Sequence, residues 1–164
     1  MHALLIEFSK WLASTSLSQT IQTTGGIIPA LQTIHILCVA VVFTSAVLVD
    51  FRIWRLFERD VPLPQVARRF LPSIWPVLVI LLLTGALLII GEPRRSLLNA
   101  TFYIKMSLLL GAILLTAGLQ GSIALRPSFW QNRRLAGRAL ATLSILIWCG
   151  ILFAGRWIAY TQVG

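Results

Sequence analysis

The side chains that could carry chemistry are a few polar groups inside long apolar stretches of the 164-residue sequence. They are His35, Lys105, Arg156, Gln32 and Gln120. Ionisable groups in such surroundings are costly, and they usually serve ligand binding, proton transfer or metal coordination. A histidine also suits a structural role, as a neutral ring that hydrogen-bonds a neighbouring helix. Both interpretations of His35 stay open on the sequence alone.

His35 shares one face of a predicted helix with the other strongly polar groups of its segment. Steps of three, four and seven residues return to the same side of an α-helix. From His35 these steps reach Ile28, Gln32, Val39, Val42, Ala46 and Asp50. His35 lies about eight residues inside the segment, hence roughly 12 Å deep at 1.5 Å per residue. The ring is therefore expected to be buried but reachable from the outer side.

Two cations on other segments are predicted at a depth similar to that of His35. Lys105 follows the start of the third apolar segment, and Arg156 precedes the end of the fourth. These groups could line one anion-accepting pocket that suits haem propionates, a quinone carbonyl or an ion pair with Glu92. For each cation alone, a stem that reaches the lipid headgroups is the simpler interpretation. The candidate cofactor site is His35, Lys105, Arg156, Gln32 and Tyr160, with His35 as the candidate metal ligand.

Familiar catalytic motifs are missing from the sequence. It contains no Ser-His-Asp grouping, Gly-rich phosphate loop, CxxC pair or HExxH helix. With two histidines in all, it cannot build a multi-histidine metal cage. Cys38 and Cys149 fall in the middle of apolar segments, which predicts small packing residues rather than a disulfide. Whether the protein is an enzyme stays open.

Four long apolar segments must position the candidate groups. They cover residues 27–49, 73–91, 102–125 and 139–160. Each is long enough to cross a hydrocarbon layer of roughly 30 Å as a helix. Hydrophobic residues make up 57% of the chain and charged residues 12%, a composition that excludes a soluble globule. The sequence predicts an all-α fold, an integral membrane four-helix bundle that forms one domain over residues 1–164.

Arginines between the apolar segments predict the orientation of the chain. The formal net charge of +9 would raise the question of nucleic acid in a soluble protein, but here most of it lies in short connectors, so no nucleic-acid partner is expected. Nine arginines fall in the first and third connectors and two in the second. The positive-inside rule then predicts that both termini are periplasmic. Asp50 and Arg52 face Arg68 and Arg69 across the first connector, which predicts a salt-bridged clamp.

Local patterns predict where the elements begin and end. Residues 3–13 predict a short interfacial helix, because large apolar side chains recur there at helical spacing. These side chains are Leu4, Leu5, Phe8, Trp11 and Leu12. Pro62 and Pro64 should break any helix before the second span, which is predicted to begin near Pro72 or Ser73. Asn99 is a predicted N-cap of the third span, and the Arg126-Pro127 pair is predicted to end it.

The third span is predicted to have two specialised faces. One carries small residues, Ser107, Gly111, Gly118 and Ser122, which allow close helix approach. The opposite one carries the polar side chains of Lys105, Thr116 and Gln120. One face should pack within the bundle and the other should meet a cavity or a second protein. The sequence leaves open which face does which.

Several stretches resemble an uncharacterised family of short four-helix bacterial inner-membrane proteins. They are residues 29–35, 49–52, 67–70, 99–105 and 155–160, and the likeness spans nearly the whole chain. More distantly, Ile34 to Leu37 and Ile104 to Leu110 look like the copper-resistance D-type membrane domain and HemJ-type protoporphyrinogen oxidase. The latter resemblance implies a haem b protein that uses membrane histidine and lysine. Residue by residue, this resemblance covers only His35 and Lys105. The chain departs from the HemJ pattern in having no second histidine within the spans.

These observations favour a small inner-membrane protein with an outer-leaflet polar cavity that binds haem b or a quinone in a redox or porphyrin-linked role. The alternative is a non-catalytic subunit or assembly factor of a larger membrane complex. A third option is transport of copper or a small anion. The expected partners are the lipid bilayer and a second copy or another membrane protein.

Overall fold

The computed structural model describes residues 2–125, 130, 133–158 and 160. Within these residues the chain forms seven α-helices and no strand, which confirms the all-α prediction. In chain order they are α1 (His2–Ala13), α2 (Ser16–Thr23), α3 (Ile27–Ile53), α4 (Leu63–Gly91), α5 (Pro93–Leu97), α6 (Ala100–Leu125) and α7 (Arg134–Trp157). Four of them, α3, α4, α6 and α7, are long and apolar enough to cross a membrane. The chain is a multi-pass membrane protein.

The four long helices form a bundle in which helices adjacent in the chain are also adjacent in space. α3 packs against α4 and α7, while α6 packs against α7 and α4, so α3 and α6 are diagonal. Alternating direction brings the starts of α3 and α6 together with the ends of α4 and α7. We call this the His35 end. The opposite end, with residues 54–62, the end of α6 and the start of α7, is the arginine end.

The interior and the surface of the bundle are both apolar. The core includes Val42, Ile74, Ile123 and Trp148. Large apolar side chains are also 62–65% exposed on the outward faces of the helices, namely Ile36, Leu82, Leu114 and Leu146. A water-soluble protein rarely exposes so many, whereas hydrocarbon solvates them well. The surface therefore supports the assignment of the four helices as membrane spans.

The second span begins earlier than the sequence pattern predicts. α4 begins at Leu63, not near residue 73, because the Pro62–Pro64 stretch forms its first turn rather than breaking it. Pro72 and Pro76 lie inside the helix and each removes one backbone donor. Both prolines are exposed, while Leu71 on the opposite side is buried. Core packing on that side carries the helix through both prolines, as membrane helices commonly allow.

The other span boundaries lie close to their predicted positions. Asn99 Oδ1 accepts a hydrogen bond from the Thr101 backbone N–H at 2.9 Å, which confirms Asn99 as the cap of α6. The Arg126-Pro127 pair, predicted to end this helix, lies outside the described residues. The fourth span covers 134–157 rather than 139–160, so it starts and ends slightly earlier than predicted.

Two short helices precede the first span and lie at the His35 end. α1 packs against α5, and α2 packs against α4. Ser18 Oγ donates to the Ile90 carbonyl at 2.6 Å. Ile21 is buried beside Gly91, where an added Cβ would come within 2.8 Å of Ile21 Cγ2. α1 confirms the predicted short N-terminal helix, whereas the sequence pattern did not predict α2.

The predicted apolar side chains of α1 are partly exposed and partly packed against the protein. Leu4, Phe8 and Trp11 are 70%, 49% and 61% exposed. The rings of Phe8 and Trp11 stack with their centroids 5.7 Å apart. Leu5 and Leu12 are half-buried. Such a helix, apolar toward both the protein and its outer side, suits a position in the headgroup layer, which stays a prediction.

Candidate functional site

His35 lies near the start of α3, on the face that this helix turns toward the bundle. Val42, Ala46 and Asp50, on the same predicted face, are buried, and the His35 ring is half-buried. Its Nδ1 lies 2.9 Å from the Thr84 hydroxyl oxygen on α4. The helical periodicity therefore predicted which side of α3 packs inward, and an antiparallel neighbour supplies the hydrogen-bond partner.

The surroundings of Thr84 indicate which ring nitrogen of His35 carries the proton. The Thr84 hydroxyl also lies 2.8 Å from the Ile80 carbonyl oxygen and 3.2 Å from that of Leu81. A carbonyl can only accept, and a hydroxyl has a single hydrogen to donate. All these contacts are satisfied together when Thr84 donates to a carbonyl and accepts from His35 Nδ1–H. We assign this tautomer from the hydrogen-bond network, and it leaves a lone pair on Nε2.

Two glycines make room for the polar side chains at this end. An added Cβ at Gly85 would lie 3.5 Å from His35 Cε1, so the imidazole packs directly against the backbone of α4. An added Cβ at Gly155 would lie 3.5 Å from Lys105 Nζ and 3.6 Å from its Cε. The lysine stem therefore crosses from α6 to the backbone of α7. A side chain larger than that of alanine at either glycine would occupy the space that His35 or Lys105 now fills.

Lys105 reaches the same region as His35 from the diagonal helix. The lysine is half-buried and lies at the same end of the bundle as His35. No acidic side chain forms a salt bridge with Lys105 among the described residues. A cation in such a place lowers the free energy of a bound anion. The structure thus brings together two of the five candidate residues.

The other three candidates lie on exposed surface. Arg156 donates to the Tyr160 hydroxyl at 2.7 Å, and its guanidinium carbon lies 5.0 Å from the centroid of that ring. Both side chains are exposed. The side of α7 that meets Lys105 presents Gly155, and the next residue, Arg156, is turned away from it. Gln32, about one turn before His35, is exposed as well.

Glu92 does not serve these cations as an ion-pair partner. It forms a salt bridge with Arg95, at 2.9 Å within the short connector between α4 and α6. Within the described residues no group of three or more His, Cys, Asp or Glu side chains could hold a metal ion. Cys38 and Cys149 are free thiols. His35 therefore offers one nitrogen donor to a metal, not a complete protein cage.

The predicted salt-bridged clamp at the arginine end is wrong. Arg52 Nε donates to the Val61 carbonyl at 2.7 Å, and Arg69 pairs with Glu58 at 3.3 Å. Asp50 is 1% exposed and faces the core rather than the connector. The helical register places it on the buried side of α3, where arginines of the connector do not reach.

Asp50 is a polar residue whose place in the core the sequence interpretation missed. Ser144 on α7, which is also buried, lies close to its carboxyl group. The second carboxyl oxygen, Oδ2, is fully buried and has no hydrogen-bond partner. The Trp148 indole nitrogen is also fully buried and without a partner. Unpaired buried polar atoms are uncommon in proteins and call for an explanation. The available sequence signal was that Asp50 falls in register with His35, Val42 and Ala46.

The two faces of α6 now have assigned surroundings. Thr116 is buried, and Gln120 Oε1 accepts from the Trp75 indole N–H at 2.8 Å, so the polar face packs inside. An added Cβ at Gly111 or Gly118 would meet nothing within 4 Å. The small-residue face is therefore open on the outside of the described bundle.

A family profile matches residues 8–161, which is nearly all of the chain. Its description is a family of unknown function (DUF6644). The chain belongs to this family. Membership in DUF6644 confirms the resemblance to an uncharacterised family of short membrane proteins, while the copper-resistance D-type and HemJ-type resemblances stay predictions. Neither a curated protein nor a solved structure matches the chain.

Because the DUF6644 description carries no activity, function has to be argued from the side chains. The match covers His35, Lys105 and Asp50 alike. Of these, His35 has the clearest chemistry, since its ring is oriented by Thr84 and its second nitrogen keeps a lone pair. The His35, Thr84 and Lys105 group is therefore the best candidate site.

Proposed function

We propose that this protein is a small bacterial inner-membrane protein that binds haem b at the His35 end in a redox or porphyrin-linked role. The observation that carries the proposal is the contact between His35 Nδ1 and Thr84. Histidines that ligate metals almost always donate their other ring N–H to an acceptor, which fixes the tautomer and the ring orientation. His35 has this arrangement, with Nε2 as the atom that would bind the iron.

Lys105 supports haem as the ligand more than a bare metal ion. A haem carries two propionates, and a half-buried ammonium suits such carboxylates through a charge-assisted hydrogen bond. The donor chemistry of the site therefore fits both parts of the cofactor, the iron at His35 and a propionate at Lys105. When bound, the haem would supply one-electron chemistry, and the protein would set its ligation and surroundings.

A quinone fits the same residues less completely. A quinone carbonyl needs a hydrogen-bond donor, and Lys105 can supply one. In the assigned tautomer His35 Nε2 is an acceptor, so it cannot donate to the second carbonyl. A quinol hydroxyl could donate to that nitrogen, which keeps a quinone as the alternative small-molecule ligand.

A second imidazole for the iron would have to come from outside the described spans. His35 is the only histidine within a span, and the side chain of His2 lies outside what the structure describes. A second protein copy is the other source of an imidazole. A single protein ligand with an open coordination position is also a common arrangement in haem proteins that bind small molecules.

The absorption spectrum of detergent-purified protein tests the haem proposal. Expression with ample haem supply should give a Soret band in the wild type, and His35→Ala should abolish it. His2→Ala should at most shift the band. A colourless wild-type protein, or a full spectrum in His35→Ala, would remove haem from first place and leave quinone binding to be tested.

A substitution of Thr84 tests the haem proposal more sharply. Thr84→Val keeps the shape of the side chain but removes the acceptor of His35 Nδ1–H. Loss of such an outer partner typically costs 10–100-fold in metal affinity. We therefore expect Thr84→Val to keep a Soret band but to weaken haem retention and shift the reduction potential. Thr142→Val on α7, whose hydroxyl bonds only to the Arg138 carbonyl of its own helix, is the matched control.

The orientation in the membrane belongs to the same proposal. We infer that the arginine end is cytoplasmic, since nine of the eleven arginines in the three connectors belong to the first and third. Both termini and the His35 site would then be periplasmic. A C-terminal alkaline phosphatase fusion should be active and a C-terminal green fluorescent protein fusion dark. The reverse pattern would contradict this orientation.

A second candidate function is supported by the open face of α6. Small residues without neighbours allow another helix to approach closely, as expected for a non-catalytic subunit or assembly factor. Gly118→Leu should then abolish co-purification of a stoichiometric partner and leave the purified chain folded. Leu82→Phe, on an exposed apolar side chain of α4, is the control. A chain that purifies alone from mild detergent would argue against this role.

A further inference from the structure

Two adjoining clefts at the arginine end are lined by the same arginines. The larger cleft, about 490 Å³, contains Arg52, Arg55, Arg59 and Arg138 among its lining residues. We call this cleft, which is defined by these four arginines, the arginine cleft. The smaller cleft, about 200 Å³, shares three of them and continues along apolar side chains. Those side chains include Ile53, Leu63, Ile123 and Trp130. Cationic groups and an apolar wall therefore meet in one place.

The arginines are held by neutral partners rather than by carboxylates. Arg52 Nε donates to the Val61 carbonyl at 2.7 Å. Arg59 Nε donates to the Arg55 carbonyl at 2.6 Å. The Arg138 guanidinium lies over the Trp54 ring, 5.2 Å from its centroid. These contacts use Nε or the flat face of the group, so the terminal nitrogens keep their donors for another partner.

The positive charge of the arginine cleft has little compensation. Asp60 is the one acidic residue among the described residues that line it. The salt bridge found at this end of the described chain joins Arg69 with Glu58, outside the cleft. Like charges brought together without counter-charges repel each other, and a bound anion relieves that repulsion.

The backbone of the cleft is also unusual. Arg55 has a φ of +61°, in the left-handed region that residues with a side chain seldom occupy. It lines both clefts. Such conformations persist where the surrounding structure holds them, and they concentrate at ligand-binding positions. The strained backbone of Arg55 is therefore an observation independent of the charges. Arg55 lies where the arginine cleft meets the apolar cleft.

We propose that the two clefts form one binding site for an anionic phospholipid. Guanidinium forks match the geometry of a phosphate, and basic pockets between membrane helices bind lipid headgroups. The apolar cleft gives an acyl chain a path along α4 and α6, which a soluble phosphate would not use. The phosphate lies in the arginine cleft, and the chain lies beside Leu63 and Ile123. This site is at the opposite end of the bundle from His35, so it does not depend on haem binding.

Native mass spectrometry of detergent-purified protein tests the site with three probes, short-chain phosphatidylglycerol, short-chain phosphatidylcholine and inorganic phosphate. We expect phosphatidylglycerol to bind in one copy and at least about tenfold more tightly than phosphatidylcholine, because the choline ammonium cancels the negative charge of the phosphate and is repelled by the arginines. Inorganic phosphate should not displace it. Arg55→Gln combined with Arg138→Gln should lower the affinity for phosphatidylglycerol about tenfold or more.

Arg68→Gln combined with Arg133→Gln is the matched control. These exposed arginines lie at the same end of the bundle, and neither lines the clefts. Their replacement removes the same amount of charge. The control should bind phosphatidylglycerol like the wild type. Equal weakening in both double variants would overturn the site in favour of general charge attraction. Displacement by inorganic phosphate would overturn the lipid as the occupant, and because this competition uses wild-type protein, it decides even if a variant fails to fold.

Discussion

At the His35 end, an imidazole and an ammonium from diagonal helices lie half-buried in the bundle. At the arginine end, a fully buried acid, Asp50, lies behind a layer of half-buried and exposed arginines. The first arrangement keeps a lysine ammonium near the bundle interior without an acidic partner among the described residues. The second separates the acid from the bases, although they are close along the chain. Proximity in sequence therefore did not decide which charges pair.

Both buried groups depend on one hydroxyl from a neighbouring helix, but with different results. Thr84 satisfies Nδ1 of His35 and leaves a lone pair on a half-exposed ring. Ser144 lies close to the Asp50 carboxyl, and Oδ2 of that carboxyl has no partner in a site that is 1% exposed. The His35 end is thus suited to accept a ligand atom, whereas the Asp50 site is closed to ligands. The difference can be measured by removing each hydroxyl.

The largest effect should follow removal of the hydroxyl that serves Asp50. Ser144→Ala would leave a buried carboxyl group without a donor, which typically costs about 1–3 kcal/mol of unfolding free energy. We expect a loss in this range in an SDS titration of protein in mixed micelles. Asp50→Ala together with Ser144→Ala should recover part of it, because the acceptor and the donor are then removed together.

Ser122→Ala is the control for this measurement. Its hydroxyl bonds to the Leu119 carbonyl of the same helix at 3.1 Å, so no contact between helices is lost. The change in unfolding free energy should stay within about 0.5 kcal/mol. A Ser144→Ala protein as stable as this control would show that Asp50 does not depend on Ser144.

Much of the fold follows from the sequence, because length and hydropathy suffice for membrane helices. The number of spans, the buried face of α3 and the Asn99 cap are confirmed. The start of α4 at Leu63 agrees with the local preference for proline in a first turn, but its continuation through Pro72 and Pro76 was not predictable from local rules. Here Leu71 packs in the core while Pro72 faces outward, and that packing is tertiary information.

The candidate site was predictable only in part. His35 and Lys105 stand out as charges in apolar segments, and the structure places them near each other. Thr84 was missed, although a lone hydroxyl in the apolar run of α4 is a usable signal. Arg156 was grouped with Lys105 by depth alone. Depth does not fix rotation about the helix axis, and the neighbouring Gly155 takes the inward position.

An intermediate effect on stability should follow removal of the hydroxyl at the His35 end. Hydrogen bonds between membrane helices contribute about 0.6 kcal/mol on average. Thr84→Val should therefore cost about that much without haem, less than Ser144→Ala, because His35 is half-exposed and can find another partner. A Thr84→Val loss that exceeds the Ser144→Ala loss would reverse the comparison of the two ends. Thr142→Val, with its bond inside one helix, again serves as the control.

The smallest effects should come from two glycines that differ in what lies beside them. An added Cβ at Gly85 makes an ordinary contact with His35 Cε1 at 3.5 Å, and at Gly118 it meets nothing within 4 Å. Alanine favours a helix over glycine by up to about 1 kcal/mol, so Gly118→Ala should raise the unfolding free energy slightly and Gly85→Ala by no more. Substitution by leucine should distinguish Gly85 from Gly118. Gly85→Leu would occupy the space of the imidazole and remove the Soret band, whereas Gly118→Leu should keep it in the purified chain. The opposite pattern would mean that the face of α6 assigned to the outside, not the face of α4 beside His35, borders the binding site.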